Sequence, residues 1–504
     1  MEQMHIAMYP WLALGHISAY THLANKIAKK GHRISFFIPK RTKAKVEHLN
    51  RYPHLITFID ITIPPVEGLT PDAETTSDIP PQLTLRLVAA LDRTEKDIQK
   101  LLLHLKPNII FFDFACFVPN LARSLGIKSV QYHIVNMLFA SYVILVEKQC
   151  RENNEVGAEL NLNLNLMRAP PGFPDSSIKL STHEVQQLAI SIKCEFRSGF
   201  RLHDLLSSIS KLSDAVGYRS CREIEAPYAE FLQSFYGKPV LLPGPVLPEP
   251  PTTALEPKWA EWLSGFNPGS VIYCAFGSEC RLPQDQFKEF LLGLELTGFP
   301  FLAALKAPIG CESVEEAIPE GFLERVKGRG IVHGGWVQQI LILDHPSVGC
   351  FITHCGAASM IEALVNKGQI VVLPNAIDQF LNSKVVCNSL KAGVEVEKGD
   401  EDGKFTKESV CKAVKTVMDD ESEVAREVRA NHLKLRNRLL AEVCGRGCNV
   451  SSRIKAVQLR FLCLLHSPVC CDAPPTSLKF PKWLKFLNLR LLLLHCNSCF
   501  AWSV

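Results

Sequence analysis

The sequence predicts an α/β protein with two domains, each built around a parallel β-sheet. At 504 residues, the chain is longer than one compact core usually accommodates. In both halves, short apolar runs typical of buried strands alternate with segments of helical periodicity, which indicates a parallel sheet. A proline-rich stretch at 239–257 separates the halves and is typical of a semi-rigid linker.

The first half opens with a strand–helix–strand unit. A strand is predicted at 4–9, a helix at 17–30 that Gly31 ends, and a second strand at 33–38. This unit lacks the glycine-rich fingerprint of dinucleotide-binding proteins, which argues against an NAD-dependent enzyme. Further predictions for this half are strands at 56–61, 109–112, 129–132 and 215–219, helices at 83–105, 118–125, 184–206 and 223–235, and loops at 64–81 and 160–174.

The second half repeats the alternation after the linker. We therefore expect two domains, at 1–238 and 258–440, which face each other across a cleft where ligands bind. The linker between them is predicted at 239–257. The elements predicted for the second half are strands at 271–276, 300–304, 331–333, 348–353 and 370–373 and helices at 284–297, 360–365, 409–418 and 423–440.

The composition is that of an ordinary globular protein, with 47% hydrophobic and 21% charged residues. The net charge of +4 comes from the C-terminal tail, so the mildly acidic body gives no reason to expect nucleic-acid binding. No basic leader and no apolar run of membrane-spanning length is evident. Cysteines in the body are scattered through apolar runs, which indicates buried thiols in a reducing compartment, and we expect a cytoplasmic protein.

The tail at 441–504 differs from the rest of the chain. From position 443 onward it carries eight Lys and Arg against a single Asp. The spacings Cys444-x3-Cys448 and Cys496-x2-Cys499 suggest zinc, but they match no four-ligand pattern, so we expect no metal site. We predict a divergent terminus with little stable structure. Seven of the 18 cysteines lie in it, at 444, 448, 463, 470, 471, 496 and 499.

A strand-to-helix junction in the second half is predicted to bind an anion, with diphosphate the usual ligand. A helix that follows a strand through small residues presents free backbone N–H groups and the positive end of its dipole. Small residues let the ligand approach the backbone, and a serine and a histidine add polar groups. The residues at this junction are His354, Gly356, Ala357, Ala358 and Ser359.

Three more polar residues follow the junction. Glu362 lies one turn beyond Ser359 on the same helix face, where a carboxylate can accept hydrogen bonds from a ribose diol. Asp378 and Gln379 follow the strand at 370–373, and open α/β sheets bind ligands at that end of their strands. We expect this acid–amide pair to hold sugar hydroxyls. The alternative is an ordinary strand–helix unit with a core histidine and surface acids.

His16 and Asp113 are the candidate catalytic residues. Each follows a predicted strand of the first half, so both lie at the same edge of the sheet. A histidine can take a proton from a hydroxyl at neutral pH, and a carboxylate beside it can orient the imidazole and stabilise its cation. Taken alone, each residue also fits a structural role, which is our interpretation of His22 and His32.

The segment at 336–379 resembles the donor-binding box of plant UDP-sugar-dependent glycosyltransferases. The resemblance extends over about residues 4–440, and the surroundings of His16 and Asp113 match the placement of the family's catalytic histidine and its partner. Ala357 and Ala358 depart from the Trp-Asn that most members carry. The matching positions in the box are Trp336, Gln339, Leu343, His345, Phe351, His354, Gly356, Ser359, Glu362, Pro374, Asp378 and Gln379.

The resemblance implies two facing Rossmann-like domains of the GT-B type, with the acceptor half first and the donor half second. It places Trp336 against uracil, Glu362 on the ribose, and Asp378 and Gln379 on the sugar. It implies inversion at the anomeric carbon, with no metal and no cofactor besides the UDP-sugar, and we expect a monomer. The implied UDP-sugar-binding residues are Ser278, Trp336, Val337, Gln339, His354, Gly356, Ala357, Ala358, Ser359, Glu362, Asp378 and Gln379.

Within the family, the chain resembles the branch that adds a second sugar to flavonoid or anthocyanidin 3-O-glycosides. The stretches that carry this finer resemblance lie at 276–305, 315–339 and 374–379. Two alternatives stay open. One is transfer to another small lipophilic acceptor, such as a terpenoid or a hormone. The other is a catalytically impaired UDP-binding protein, which the two alanines and the unusual tail would favour.

Overall fold

The computed structural model describes residues 3–152, 167–197, 200–244, 246–247, 253–277, 279–419 and 421–443. Ser278 and nearly all of the predicted tail at 441–504 lie outside these residues, as does part of the predicted loop at 160–174. Within the described residues, no helix is both long enough and apolar enough to cross a membrane.

The first half forms a parallel sheet of seven described strands. Apolar side chains fill most of its central strands, which explains why these strands were visible as apolar runs. The last strand, Val240–Leu241, falls within the predicted linker at 239–257, so the first part of that linker belongs to the sheet. In spatial order the strands are Ile56–Ile61, Arg33–Pro39, His5–Tyr9, Ile109–Phe112, Lys128–His133, Ala215–Tyr218 and Val240–Leu241.

The second half forms a parallel sheet of six described strands. Together the two sheets confirm the predicted α/β class with two domains of the Rossmann-like kind. In spatial order the strands are Gly330–His333, Phe301–Ala304, Val271–Ala275, Val348–Thr353, Gln369–Val372 and Val394–Glu395.

Helices cover both sheets. Those of the first half are Leu14–Ala28, Lys40–Val46, Thr84–Asp92, Glu95–Leu105, Val118–Ser124, Met137–Glu152, Thr182–Lys193, Leu202–Asp204, Ser210–Leu212 and Arg222–Tyr236, with a π-helical turn at Leu205–Ile209. Those of the second half are Pro257–Ser264, Gln284–Thr297, Phe322–Arg325, Gln339–Leu343, Ala357–Val365, Asp378–Lys384, Lys407–Met418 and Glu423–Val443, with a π-helical turn at Val385–Ser389. Single 3₁₀ turns occur at Glu47–Leu49, Thr76–Asp78, Pro81–Leu83 and Glu315–Ala317.

The strand order puts a topological switch point in each sheet. In the first sheet, successive strands are added on one side of His5–Tyr9 and then, from Ile109–Phe112 onward, on the other side; the last residues of these two parallel strands are paired. In the second sheet, the same change of side occurs between Val271–Ala275 and Val348–Thr353. Loops that leave the sheet at a switch point diverge and open a crevice, which is where open α/β sheets bind ligands. His16 and Asp113 follow the two strands of the first switch point.

The single helix predicted at 83–105 is wrong in one respect, because the structure has two helices there. Thr84–Asp92 ends and Glu95–Leu105 begins on either side of Thr94. The Thr94 hydroxyl donates to the Leu91 carbonyl at 2.6 Å and lies 2.7 Å from the Tyr9 hydroxyl. A hydroxyl that bonds the preceding turn competes with the helical ladder, and this break leaves no trace in the apolar spacing.

The helix predicted at 184–206 is also wrong over its second half. The helix Thr182–Lys193 stops at Cys194, and an antiparallel pair of short strands, Glu195–Arg197 and Phe200–Arg201, follows. Helical structure resumes only at Leu202. The helical periodicity on both sides of this hairpin is real, so the sequence pattern did not distinguish an interrupted helix from a continuous one.

The helix Met137–Glu152 was not predicted. Its residues from Met137 to Val146 are buried almost all round, so it shows no polar face for periodicity to detect. It belongs to a cluster of buried apolar side chains that also contains Phe351, Met360 and Phe380 of the second half. This cluster extends across both halves, and each half also has an apolar cluster of its own.

A buried histidine predicts how stability changes with pH. Burial lowers the pKa of His133 to about 3, with a smaller effect from His16. In the unfolded chain a histidine titrates near 6.5, so between these values the unfolded state binds the extra proton. The free energy of unfolding should fall as pH decreases through this window. His133→Gln should reduce that slope by about 1.4 kcal/mol per pH unit, as measured by urea unfolding from pH 6.5 to 4.

The matched control is His104→Gln, at an exposed helix position. It should leave the slope unchanged. Equal slopes in wild type and His133→Gln would contradict the burial of an uncharged His133 in the folded state.

Candidate active site

His16 and Asp113 form a hydrogen-bonded pair at the first switch point. His16 lies in the first turn of the helix Leu14–Ala28, and Asp113 is the first residue after the strand Ile109–Phe112. The His16 Nδ1 is 2.6 Å from the Asp113 Oδ2. The imidazole is about one-fifth exposed, whereas the carboxylate is almost completely buried. One end of the histidine is thus fixed in the protein while the ring stays accessible.

The Asp113 carboxylate is oriented by the backbone as well as by His16. Its Oδ1 accepts a hydrogen bond from the backbone N–H of Trp11, at 2.5 Å, and another from that of Phe114, at 2.8 Å. These two bonds fix the carboxylate so that its Oδ2 faces His16. With Nδ1 engaged as the donor to Asp113, Nε2 is the nitrogen left to accept a proton.

Aromatic rings surround this pair. The Trp11 and Phe114 rings stack with their centroids 5.0 Å apart, and the His16 ring meets Phe114 edge-on at 5.8 Å. Trp11 is almost completely buried and Phe114 is partly buried, so these rings pack against the pair and help to fix the imidazole.

The predicted anion site lies where the strand Val348–Thr353 leads into the helix Ala357–Val365. Cys355 between them has a φ of +62°, a strained value for a residue with a side chain. This turn makes Gly356 the N-cap, so the backbone N–H groups of the first helical turn lack partners within the helix. Ala357, Ala358 and Ser359 form that first turn, in the arrangement that suits a phosphate.

His354 is less exposed than the sequence suggested. Burial lowers its pKa to about 4, so the ring is neutral at physiological pH and can contribute a hydrogen bond but no positive charge. The position of the His354 ring also leaves no room for a side chain at two neighbouring glycines. A Cβ on Gly356 would lie 2.6 Å from the His354 Nε2, and one on Gly277 would lie 3.0 Å from the same atom.

Glu362 is held by a short hydrogen-bond chain. The Tyr273 hydroxyl donates to Gln339 Oε1 at 3.1 Å, and Gln339 Nε2 donates to Glu362 Oε2 at 2.6 Å. Burial raises the pKa of the Glu362 carboxyl, while Gln339 and then the charge of Arg219 oppose that shift. In the structure the Gln339 amide orients Glu362 and keeps a second N–H, so its predicted contact with the ligand stays a prediction.

Trp336 and Val337 lie at the rim of the same site. The Trp336 side chain is 74% exposed, which leaves the indole face open for stacking. The Val337 side chain is buried, so only its backbone can reach a ligand. The next residue, Gln338, is tied to the linker, since it donates to the Ala254 carbonyl at 3.0 Å and accepts from the Glu256 N–H at 2.6 Å.

Gln379 stabilises its own loop. Its Oε1 accepts hydrogen bonds from the backbone N–H groups of Asn375, at 3.0 Å, and Ala376, at 3.2 Å. The side-chain NH₂ group therefore remains as the part able to donate to a ligand. Ile377, just before the acid–amide pair, has a φ of +40°, so this loop is strained like the one at Cys355.

Asp378 begins the helix Asp378–Lys384. Burial raises the pKa of its carboxyl to about 6, while a hydrogen bond from Asn382 and the charge of His16 act in the opposite direction. Asn382, which donates to the Asp378 carboxylate, also accepts a hydrogen bond from Asn136 of the first half. Asp378 therefore lies one side chain away from the first half of the chain.

Two residues of this region were missed in the sequence. Asn136 of the first half donates to Asn382 of the second through their side chains, at 2.7 Å. Asn382 lies four residues after Asp378 on a seven-residue helix that was interpreted as the end of a loop. A helix assignment would have placed Asn382 beside Asp378, but nothing in the sequence pairs it with Asn136. Among the described residues, no group of three or more His, Cys, Asp or Glu side chains is arranged to hold a metal ion.

Comparison with known proteins identifies relatives. Residues 323–433 match the model of the family described as UDP-glucoronosyl and UDP-glucosyl transferase. The cyanidin 3-O-galactoside 2''-O-xylosyltransferase FGGT1 of Actinidia chinensis var. chinensis is 55% identical, over 86% of this chain and 94% of that protein. The anthocyanidin 3-O-glucoside 2''-O-glucosyltransferase of Ipomoea nil is 52% identical, over the same shares.

Solved structures share the fold. Glycyrrhiza uralensis UGT73P12, complexed with glycyrrhetinic acid 3-O-monoglucuronide, superposes with a TM-score of 0.75 at 21% identity, over 92% of this chain and 97% of that one. A UDP-glucose: anthocyanidin 3-O-glucosyltransferase in complex with UDP gives 0.73 at 23% identity, over 91% and 99%. At these identities the likeness concerns the fold alone.

The hydrogen bonds to Asp113 predict a loss of stability in Asp113→Asn. The amide oxygen can keep both backbone N–H groups, but an NH₂ group then faces His16 Nδ1, and the hydrogen bond between His16 and a carboxylate is lost. The free energy of unfolding should fall by about 1–3 kcal/mol in urea titrations. The exposed Asp344→Asn is the control and should be neutral. An Asp113→Asn protein as stable as wild type would contradict this network.

Proposed function

The chain belongs to the family of plant UDP-dependent glycosyltransferases, and from this premise we propose that it transfers a sugar from a UDP-sugar to a hydroxyl of a flavonoid or anthocyanidin 3-O-glycoside. The names of its relatives support this acceptor, since several extend anthocyanidin 3-O-glycosides. Two of these names give the 2''-position and one gives the 2'''-position, and we propose the 2''-hydroxyl of the sugar already attached. Those relatives use either xylose or glucose, so the donor sugar is left to experiment.

The observation that carries the proposal is the hydrogen-bonded pair of His16 and Asp113, together with the charge of His16 acting on Asp378 of the second half. With Nδ1 bound to Asp113, Nε2 is the nitrogen left to meet an acceptor hydroxyl. We propose that Asp378 and Gln379 hold the donor sugar opposite this nitrogen. A base and a sugar-binding acid from opposite halves are what transfer between two bound substrates requires.

In the proposed reaction, His16 Nε2 removes the proton from the acceptor hydroxyl. The resulting oxygen forms a bond to the anomeric carbon of the donor sugar, while the bond from that carbon to the UDP oxygen breaks and its electron pair leaves with UDP. Asp113 stabilises the imidazolium through the 2.6 Å hydrogen bond. Because the acceptor attacks from the side opposite UDP, the anomeric configuration inverts.

The departing diphosphate gains negative charge. We propose that the N–H groups at the start of the helix Ala357–Val365 stabilise it, with Ser359 as a further donor and no metal ion required. Ser278 was predicted to contribute here but lies outside the described residues. Trp336 and Glu362 would hold uracil and ribose.

We also propose that the enzyme is a cytoplasmic monomer. Ten cysteines in the described part of the chain are free thiols, which suits a reducing compartment. His16, Asp113 and Asp378 all come from one chain, so one copy supplies the machinery the proposed reaction needs.

The test is UDP release from a panel of UDP-sugars, with a flavonoid 3-O-glucoside as acceptor. Wild type should release UDP in an acceptor-dependent way with at least one donor. His16→Ala should lower kcat by about 10²–10⁴-fold, since it removes the general base, while UDP binding persists. The exposed His104→Gln serves as the control.

The panel also separates the alternatives. Turnover with terpenoid or hormone acceptors but not with flavonoid glycosides would favour another acceptor class. UDP binding without turnover for any donor or acceptor would refute the enzyme and favour a binding protein.

Metal independence is tested by adding EDTA to the wild-type assay. The initial rate should stay within the error of the untreated enzyme, because backbone N–H groups stabilise the diphosphate in this proposal. A loss of turnover that Mg²⁺ or Mn²⁺ restores would contradict that role.

A further inference from the structure

We propose that the first half of the molecule positions the donor sugar, through Asn382 and Lys384 on the helix Asp378–Lys384. This inference deepens the proposed function and rests on it. Asp378 and Gln379 at the start of the helix would contact the sugar. Asn382 and Lys384 farther along it are bound by the first-half residues Asn136 and Glu184.

The first connection is a chain of side-chain amides. Asn136 Nδ2 donates to Asn382 Oδ1 at 2.7 Å. Asn382 Nδ2 in turn donates to the Asp378 carboxylate at 3.2 Å and to the Cys355 carbonyl at 2.9 Å. Asn136 and Asn382 are both almost completely buried. A first-half residue is therefore linked through one intermediary to the predicted sugar-binding carboxylate and to the turn before the anion site.

The second connection is a buried ion-pair triad. Lys384 Nζ lies 3.0 Å from Glu184 Oε1 of the first half and 3.0 Å from both carboxylate oxygens of Glu395. The three side chains are 13%, 5% and 20% exposed, respectively. Although burial acts to lower the pKa of Lys384, the carboxylates of Glu395 and Glu184 outweigh it and the net shift is upward. Lys384 is therefore a cation held between the halves.

Glu184 is fixed in place by its own helix. Its Oε2 accepts from the Ser181 N–H at 2.8 Å, and its N–H donates to the Ser181 hydroxyl at 3.2 Å, a capping box at the start of Thr182–Lys193. One carboxylate oxygen thus caps the helix while the other binds Lys384. Because the Glu184 carboxylate is already oriented, little side-chain entropy is lost when it binds Lys384.

The same helix start makes further contacts with the second half. The His183 N–H donates to the Asp400 carbonyl at 2.8 Å, and the Thr182 hydroxyl donates to the Asp400 carboxylate at 2.6 Å. The His183 ring meets Phe380 edge-on, with centroids 6.4 Å apart. Phe380 lies on the helix Asp378–Lys384, so this helix is contacted from the first half at three positions.

The helix is short enough for these contacts to control its first residues. Seven residues span about 10 Å, so a shift at Lys384 moves Asp378 as part of one rigid body. The strained Ile377 precedes it, at a φ of +40°, and a position held in strain depends on the surrounding contacts. Losing either connection should displace Asp378 and Gln379 while leaving Trp336 and Glu362 in place.

The test compares binding of UDP with binding of a UDP-sugar, by calorimetry, in full-length variants. Lys384→Met and Asn136→Ala should each weaken UDP-sugar binding by about tenfold, equivalent to about 1.4 kcal/mol, and leave UDP binding within twofold of wild type. Where turnover is measured, KM for the donor should rise while KM for the acceptor stays constant. A general structural defect would weaken both ligands together.

Lys412→Met is the matched control. Lys412 also pairs with a glutamate, Glu397, at 2.9 Å, but both side chains are exposed and belong to the second half. It should leave both affinities unchanged. Lys384→Arg, which keeps the charge, should recover part of the lost sugar affinity.

The outcomes are distinct. If wild type binds no UDP-sugar, the proposed function fails before the inference is reached. If wild type binds it and the variants bind it equally well, or lose UDP to the same extent, the inference is overturned. If Lys384→Met does not fold because two largely buried carboxylates lose their cation, Asn136→Ala decides, since it removes only neutral hydrogen bonds, to Asn382 Oδ1 and to Met360 Sδ.

Discussion

The buried carboxylate of Asp113 is the group on which the candidate catalytic geometry depends. It receives hydrogen bonds from the backbone on both sides of the switch point, at Trp11 and Phe114, and from His16. These bonds join the end of one central strand to the loop after another. The charge that orients the imidazole therefore also ties together the two loops that open the crevice. The predicted loss of stability in Asp113→Asn and the proposed proton transfer therefore involve the same few atoms.

The second half meets a different constraint. The candidate site of this half depends on two unusual backbone conformations. Cys355 and Ile377 take positive φ values in the loops that lead to the predicted anion site and to Asp378 and Gln379. Strain of this kind persists only where neighbouring contacts enforce it. First-half residues contact the helix after Ile377 at Asn382 and Lys384, and these contacts are the basis of the proposed positioning of the donor sugar.

Much of the fold and of the donor site could be predicted from the sequence, because apolar strands and a fixed-spacing motif are local patterns. The strands Ile56–Ile61 and Val348–Thr353 begin and end where the apolar runs do. The helix Met137–Glu152 escaped prediction because burial on all sides removes its periodicity. The pairing of Asn136 with Asn382 escaped it too, because only the folded chain brings together residues so far apart. Local patterns therefore predicted the strands and the candidate site residues, whereas the contacts between the two halves that hold those residues became visible only in the structure.

The central claim is that His16 and Asp113 act as one unit in proton transfer. A double-mutant cycle in kcat/KM, with His16→Ala, Asp113→Asn and the combined variant, tests it most directly. If the residues act together, the combined variant should be about as slow as His16→Ala alone, because Asp113 has no catalytic function once the imidazole is gone. Losses that multiply in the combined variant would show that the two residues act independently and would contradict the account.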